Sequence, residues 1–218
     1  MDLLIIALAP VAALLFFIYI RDKYEKEPPQ MLFRALGLGA LVVFPVMTVE
    51  RTLSAYLVFF DGLLNTFWHA FVVAAFTEES FKLLALYLLV WRSVHFSQKF
   101  DGIVYAVFVS MGFAAIENIM YVFDYGYQTG LVRAFTAVPG HFLFAIPMGF
   151  YFGLAKFYPA DRQRLMKAAL IYPILLHGVY DFILMSQHFL YFLVFIPFVV
   201  FMWRYGMDKI RKLAEDNQ

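Results

Sequence analysis

Residues Phe67–Val90 read FWHAFVVAAFTEESFKLLALYLLV, and the fold turns on how this stretch is taken. As an α-helix rising 1.5 Å per residue it is about 36 Å long, enough to cross a hydrocarbon core of about 30 Å. Near its middle stand Glu78, Glu79 and Lys82, where an ionisable group costs roughly 2.5–3.5 kcal/mol on insertion scales. The rest of the chain sets the solvent. Of 218 residues, 63% are hydrophobic, 20% aromatic and 15% charged, against about 45–50% apolar and 25% charged in soluble domains. Water is excluded as the environment.

Working outward, further apolar runs near span length occur at Leu3–Ile20, Ala35–Val49, Gly102–Phe123, Leu131–Ala155, Met166–Met185 and Phe189–Trp203. The expected fold is therefore all-α: a polytopic membrane bundle of about seven transmembrane helices, forming one integral membrane domain over residues 1–218. The first span (3–20) follows only Met1 and Asp2, lacks the basic n-region of a secretory signal and reads as a retained anchor. There is no cysteine and the formal net charge is +1. Disulfide scaffolds are thereby excluded, no nucleic-acid partner is expected, and the lipid bilayer is the surrounding medium.

Orientation follows from Lys and Arg, because cytoplasmic loops carry the excess of positive charge. Alternate loops and the tail (204–218) hold Arg21, Lys23, Lys26, Arg34, Arg92, Lys99, Lys156, Arg162, Arg164, Lys167, Arg204, Lys209, Arg211 and Lys212. The opposite set holds only Arg51 and Arg133. The N-terminus is expected outside and the C-terminus inside. Counting Leu53–Leu64 as an eighth span would invert every later loop, so an interfacial helix is expected there. Prolines 10, 45, 139, 147, 173 and 197 fall within spans, where each removes a helix hydrogen bond and favours kinked, cavity-lining helices. Gly149 and Gly153 form a GxxxG close-packing face.

Polar residues in the spans need a partner or a purpose. From the outer ends of their spans, Glu78, His141 and His177 come out about 16, 15 and 14 Å deep, and Glu117 and Asp181 about 9 and 6 Å. A cluster around a water-filled cavity open to the exterior is expected. His177 and Asp181, four apart, share a helix face, as do Glu78 and Lys82. Glu79 is expected to turn toward a different neighbour. Taken singly, Thr77, Glu117 and Asn118 serve equally well as interhelical hydrogen-bonding groups. His69, His95 and His188 are expected as interfacial or solvated residues. No HExxH, GxGD or GxSG occurs, so three common intramembrane protease chemistries are absent. Glutamate and histidine on separate helices can still activate a water toward a peptide carbonyl.

The stretches TEESFK (77–82), DGIVY (101–105), GFAAIEN (112–118), PGH (139–141) and HGVYDF (177–182) occur in that order. Together they closely resemble the PrsW family, a likeness running from the Lys26-Glu27-Pro28 region to the last span. The resemblance implies a multi-pass protease of the bacterial cytoplasmic membrane. It would make the first, extracytoplasmic cut in a single-span membrane anti-sigma factor, leading to sigma factor release. The family is similar in turn to CAAX-type prenyl endopeptidases and bacteriocin-immunity proteins. By position, Glu78 resembles the base, Glu79 the second, orienting glutamate, His141 the water-holding partner, and His177 with Asp181 the final motif, all within spans of about 67–185. Lys82, Glu117 and Asn118 stand as supporting residues.

Two positions depart from the wider superfamily: Lys82 stands three after Glu79 where an arginine four after is usual, and Asp181 replaces an asparagine. Asp181 is an oxyanion donor only if protonated; otherwise it orients His177 or ligates a metal. No cofactor is required by this reading, yet zinc stays open, with Glu78, His141, His177 and Asp181 as its ligands. Other substrates, as of a prenyl-type or peptide-maturation protease, and a cation- or proton-coupled transporter are the alternatives.

Overall fold

The computed structural model describes residues 2–22 and 25–215. Lys23 of the basic first loop and residues 216–218 of the expected tail lie outside them. The described residues are mostly helical, with no strand among them. The helices are α1 (Asp2–Arg21), α2 (Pro29–Ser54), α3 (Gly62–Phe67), α4 (Thr77–Val90), α5 (Asp101–Tyr125), α6 (Tyr127–Phe135), α7 (Ala137–Phe157), α8 (Arg162–Met185) and α9 (Phe189–Glu215).

Among the described residues, six helical stretches are long and apolar enough to cross a membrane: Asp2–Arg21, Pro29–Phe59, Asp101–Tyr125, Tyr127–Phe157, Pro159–Met185 and Phe189–Glu215. The seventh expected span differs in kind. From Gly62 to Val90 the chain is helical but changes geometry twice, from α3 to a π-helical segment, Trp68–Phe76, and then to α4. Widened turns of this type cluster at functional sites, and this one ends directly before Thr77, whose Oγ1 donates to the carbonyl of Val72 at 3.2 Å.

Three expectations are corrected. The second span is longer than Ala35–Val49, because α2 starts on Pro29, suited to a first helical turn, and continues to Ser54. Leu53–Leu64 is not one interfacial helix: α2 passes into a 3-10 turn, Ala55–Phe59, and the backbone extends at Phe60 and Asp61 before α3 begins. The fifth span, within the stretch Tyr127–Phe157, is not one continuous helix, since the backbone breaks at Thr136 (φ −118°, ψ −80°) and α7 begins at Ala137. His141 thus lies about 6 Å along its helix rather than 15 Å. Pro139 falls in the first turn of α7, where its missing N–H has no helical partner to lose.

α5 is the hub, buried along most of its length and packed against α1, α2 and α7. Its contacts are made at backbone distance. A Cβ on Gly149 would lie 2.3 Å from the carbonyl oxygen of Gly102, and one on Gly153 2.1 Å from that of Lys99. Gly39 and Gly112 meet the carbonyls of Val109 and Leu36 in the same way across the α2–α5 contact. Outward-facing side chains are apolar, including Phe16, Phe33, Leu88 and Ile196, as lipid-facing helices require. Gly126, at φ 86°, ends α5 and turns the chain into α6.

At the N-terminal end of α5, the Lys26-Glu27-Pro28 and Asp101–Tyr105 motifs meet. Asp101 Oδ2 accepts the backbone N–H groups of Ser97 and Gln98 at 2.9 and 2.7 Å, and the Tyr105 hydroxyl donates to Glu27. Glu27 and Asp22 are both buried in the connection between α1 and α2. Burial pushes the Glu27 carboxyl up to about 8, against the Tyr105 hydrogen bond and with help from the charge of Asp101. Burial raises Asp22 as well. This acidic knot ties the α1–α2 connection to the hub, at the opposite end from the cluster described next.

Candidate active site

The polar residues expected to converge do so. Lys82 has no exposed surface. Its Nζ donates to Glu78 Oε2 at 2.8 Å and Glu79 Oε1 at 2.9 Å and lies 3.1 Å from His141 Nδ1. An ammonium has three N–H groups, and all three are used. The Phe113 ring covers it, with the centroid 4.3 Å from Nζ. Glu79 is therefore not turned away from Lys82: residues three apart also share a helix face, and one lysine reaches both carboxylates.

Glu79 carries a second contact, from its Oε1 to His177 Nδ1 at 3.0 Å, while His177 Nε2 lies 3.2 Å from Asp181 Oδ2. Both ring nitrogens thus face carboxylates, an arrangement only the doubly protonated imidazole satisfies. Asp181 stands one turn from His177 as its charge partner. His141 is held differently. Its Nε2 lies 2.8 Å from Glu117 Oε2, and its Nδ1 faces the Lys82 ammonium, so the neutral Nε2–H ring fits. Glu78 Oε2 is 3.8 Å from His141 Nδ1.

The two glutamates differ in access. Glu78 lines a cavity of about 520 Å³ together with Glu117, His141, His177 and Asp181, whereas Glu79 is fully buried behind it. Glu79 Oε2 has no hydrogen-bond partner among the described residues. The cavity walls come from the C-terminal ends of α2, α5 and α8, from the N-terminal end of α7 and from the π segment, with Glu78 of α4 and Arg133 of α6 completing them. These ends share the face that the Lys and Arg distribution assigns to the exterior.

Asn118 does not reach the cluster. Its Nδ2 donates to the carbonyl of Ala7 at 2.9 Å and its Oδ1 accepts from Arg133 Nε at 2.8 Å, so it pins α1 and holds an arginine. That arginine is the main residue the sequence reading missed. Arg133 Nη2 lies 2.9 Å from Glu117 Oε2, as a charge pair rather than an aligned hydrogen bond. A signal was available: Arg51 and Arg133 are the two exceptions to the one-sided charge distribution, and both line the cavity. Glu50 lines it too, one residue past the end expected for the second span. His69 also borders the cavity.

Residues 27–202 match the model of the PrsW family intramembrane metalloproteases. A protein named protease PrsW from Bacillus subtilis (strain 168) is 39% identical over 213 residues, covering 96% of this chain and 94% of the relative. The chain belongs to the PrsW family. A protease PrsW from Geobacillus kaustophilus (strain HTA426) is 40% identical over 82% of this chain and 78% of its own length. One from Clostridioides difficile (strain 630) is 36% identical across the whole of this chain and 94% of its own. No solved structure matches. The chain is accordingly a multi-pass membrane protease, and a transporter is set aside.

The family description implies a metal. Glu78, Glu79 and His141 bring ligand atoms within 4.8 Å of one another, close enough to share an ion. This is a different set from the expected Glu78, His141, His177 and Asp181, because both His177 nitrogens are engaged by carboxylates. Each of the three converging residues, however, already gives an atom to Lys82 Nζ. An ion on those same atoms would take the place of the Lys82 ammonium, while Glu79 Oε2 is left without a partner among the described residues.

Proposed function

We propose that this PrsW-family protease resides in the bacterial cytoplasmic membrane and makes the site-1, extracytoplasmic cut in a single-span membrane-anchored anti-sigma factor, leading to release of its sigma factor. The observation that carries the reading is the placement of Glu78: a carboxylate at the wall of a polar cavity, beside His141, on the face assigned to the exterior.

In this mechanism Glu78 takes a proton from a cavity water beside it, next to the His141 ring, and the water oxygen attacks the scissile carbonyl carbon. The carbonyl electron pair moves onto oxygen, forming a tetrahedral intermediate. As the carbon–nitrogen bond breaks, Glu78 returns the proton to the leaving amine. The fixed ammonium of Lys82, 2.8 Å from Glu78, opposes the build-up of negative charge at no reorganisation cost. Glu117 keeps His141 in one tautomer, while Glu79 and Asp181 hold His177 from either side.

The reading is tested by reconstituting the purified protein in liposomes with a single-span anti-sigma factor from the same organism. The expected result is a cut on the extracytoplasmic side of the substrate's span, located by mass spectrometry and lost in Glu78→Gln. Cleavage of prenylated peptides with an intact anti-sigma factor, or native-rate cleavage by Glu78→Gln, overturns it.

A further inference from the structure

The position of Lys82 has a consequence for the chemistry of the centre. The residues that could share an ion are Glu78, Glu79 and His141, and Lys82 Nζ stands in hydrogen-bonding contact with all three. The side not facing them is closed by Phe113. A divalent ion bound at about 2.0–2.2 Å from the same oxygen and nitrogen atoms would need that space. Lys82 is also tethered to the helix that carries both glutamates and sits where no solvent reaches it.

We propose that the Lys82 ammonium is the resident cation of this centre, held where a metal would otherwise sit, and that removing it turns the centre into a transition-metal site. The substitution leaves two buried carboxylates and an imidazole around a space vacated by the cation they share, a donor set of the kind zinc and cobalt accept. Lys82 thereby sets the charge of the centre at one unit instead of two. The native site excludes zinc by occupation, although its ligand types suit it. The proposal rests on the glutamate-centred reading above, but its test reads bound ion without substrate, so a failure here is told apart from a failure there.

The experiment compares the purified full-length protein with Lys82→Ala and Lys82→Gln, each incubated with Zn²⁺ or Co²⁺, desalted and analysed for metal by mass spectrometry, with the Co²⁺ visible spectrum reporting coordination. Size-exclusion and thermal-unfolding profiles establish which variants are folded. The expected result is an affinity at least about 100-fold higher in a folded variant than in the native protein, abolished by adding His141→Ala. A native protein that retains about one ion per chain, lost on His141→Ala, overturns the proposal. So do folded variants that retain none. If neither variant folds, the native measurement alone decides.

Discussion

Arg133 reaches from α6 to within 2.9 Å of Glu117 Oε2, the oxygen that also lies 2.8 Å from His141 Nε2. A short helix beside the cavity thus fixes, through one carboxylate, the ring that faces Glu78. Arg133 touches no reacting atom in this scheme; it is a positioning residue. Arg133→Ala is expected to lower kcat by about 10- to 100-fold with a smaller change in KM. Lys at this position supplies charge without the guanidinium Nε–H that Asn118 accepts, so Arg133→Lys is expected to recover only part of the rate. Steady-state kinetics and the acidic limb of the kcat profile check this, since a purely structural role would leave that limb in place.

The unequal exposure of Glu78 and Glu79 separates chemistry from architecture. Glu78→Gln is expected to remove at least about two orders of magnitude of activity and, because it takes one of two carboxylates from buried Lys82, to lower stability by less than Glu79→Gln does. Glu79→Gln deprives Lys82 and the imidazolium of His177 of their shared carboxylate, so it is expected to cost about 3–5 kcal/mol of stability as well as activity. Parallel unfolding curves and cleavage assays distinguish the two; equal destabilisation by both variants would reject the division of roles.

Asn118 predicts the opposite pattern. It is fully buried and spends both ends of its amide on Ala7 and Arg133. Asn118→Ala is expected to destabilise by about 1–3 kcal/mol through the unpaired groups it leaves. Its effect on activity should be weaker than that of Arg133→Ala.

Glu27 gives the pH dependence. Its folded-state carboxyl is pushed up to about 8, whereas in the unfolded chain it titrates near 4.3. Between these values the folded protein binds the extra proton, so stability falls as pH rises from about 5 through 8 and levels off above. The loss is on the order of 1–3 kcal/mol. Thermal unfolding followed from pH 5.5 to 9 should show the decline in the native protein and a flatter profile in Glu27→Gln.

Much of this centre was legible because helical spacing is local. Residues four apart announced the His177–Asp181 and Glu78–Lys82 pairs, and apolar length with charge asymmetry gave the bundle. What stayed hidden depended on where helices begin and end. Moving the end of α2 by five residues brought Glu50 onto the cavity wall, and the break at Thr136 turned a loop arginine into the partner of Glu117. Nothing in Trp68–Phe76 marks it as π-helical, since its apolar residues fit any helical period.

The glycine seam between α5 and α7 limits how this protease can admit a polypeptide. Where Gly102 and Gly149 meet there is no side chain to swing aside, only main chain against main chain. The two helices carrying Glu117 and His141 are thereby locked together at the ends away from the cavity. A substrate strand is therefore not admitted by parting α5 from α7 along this seam.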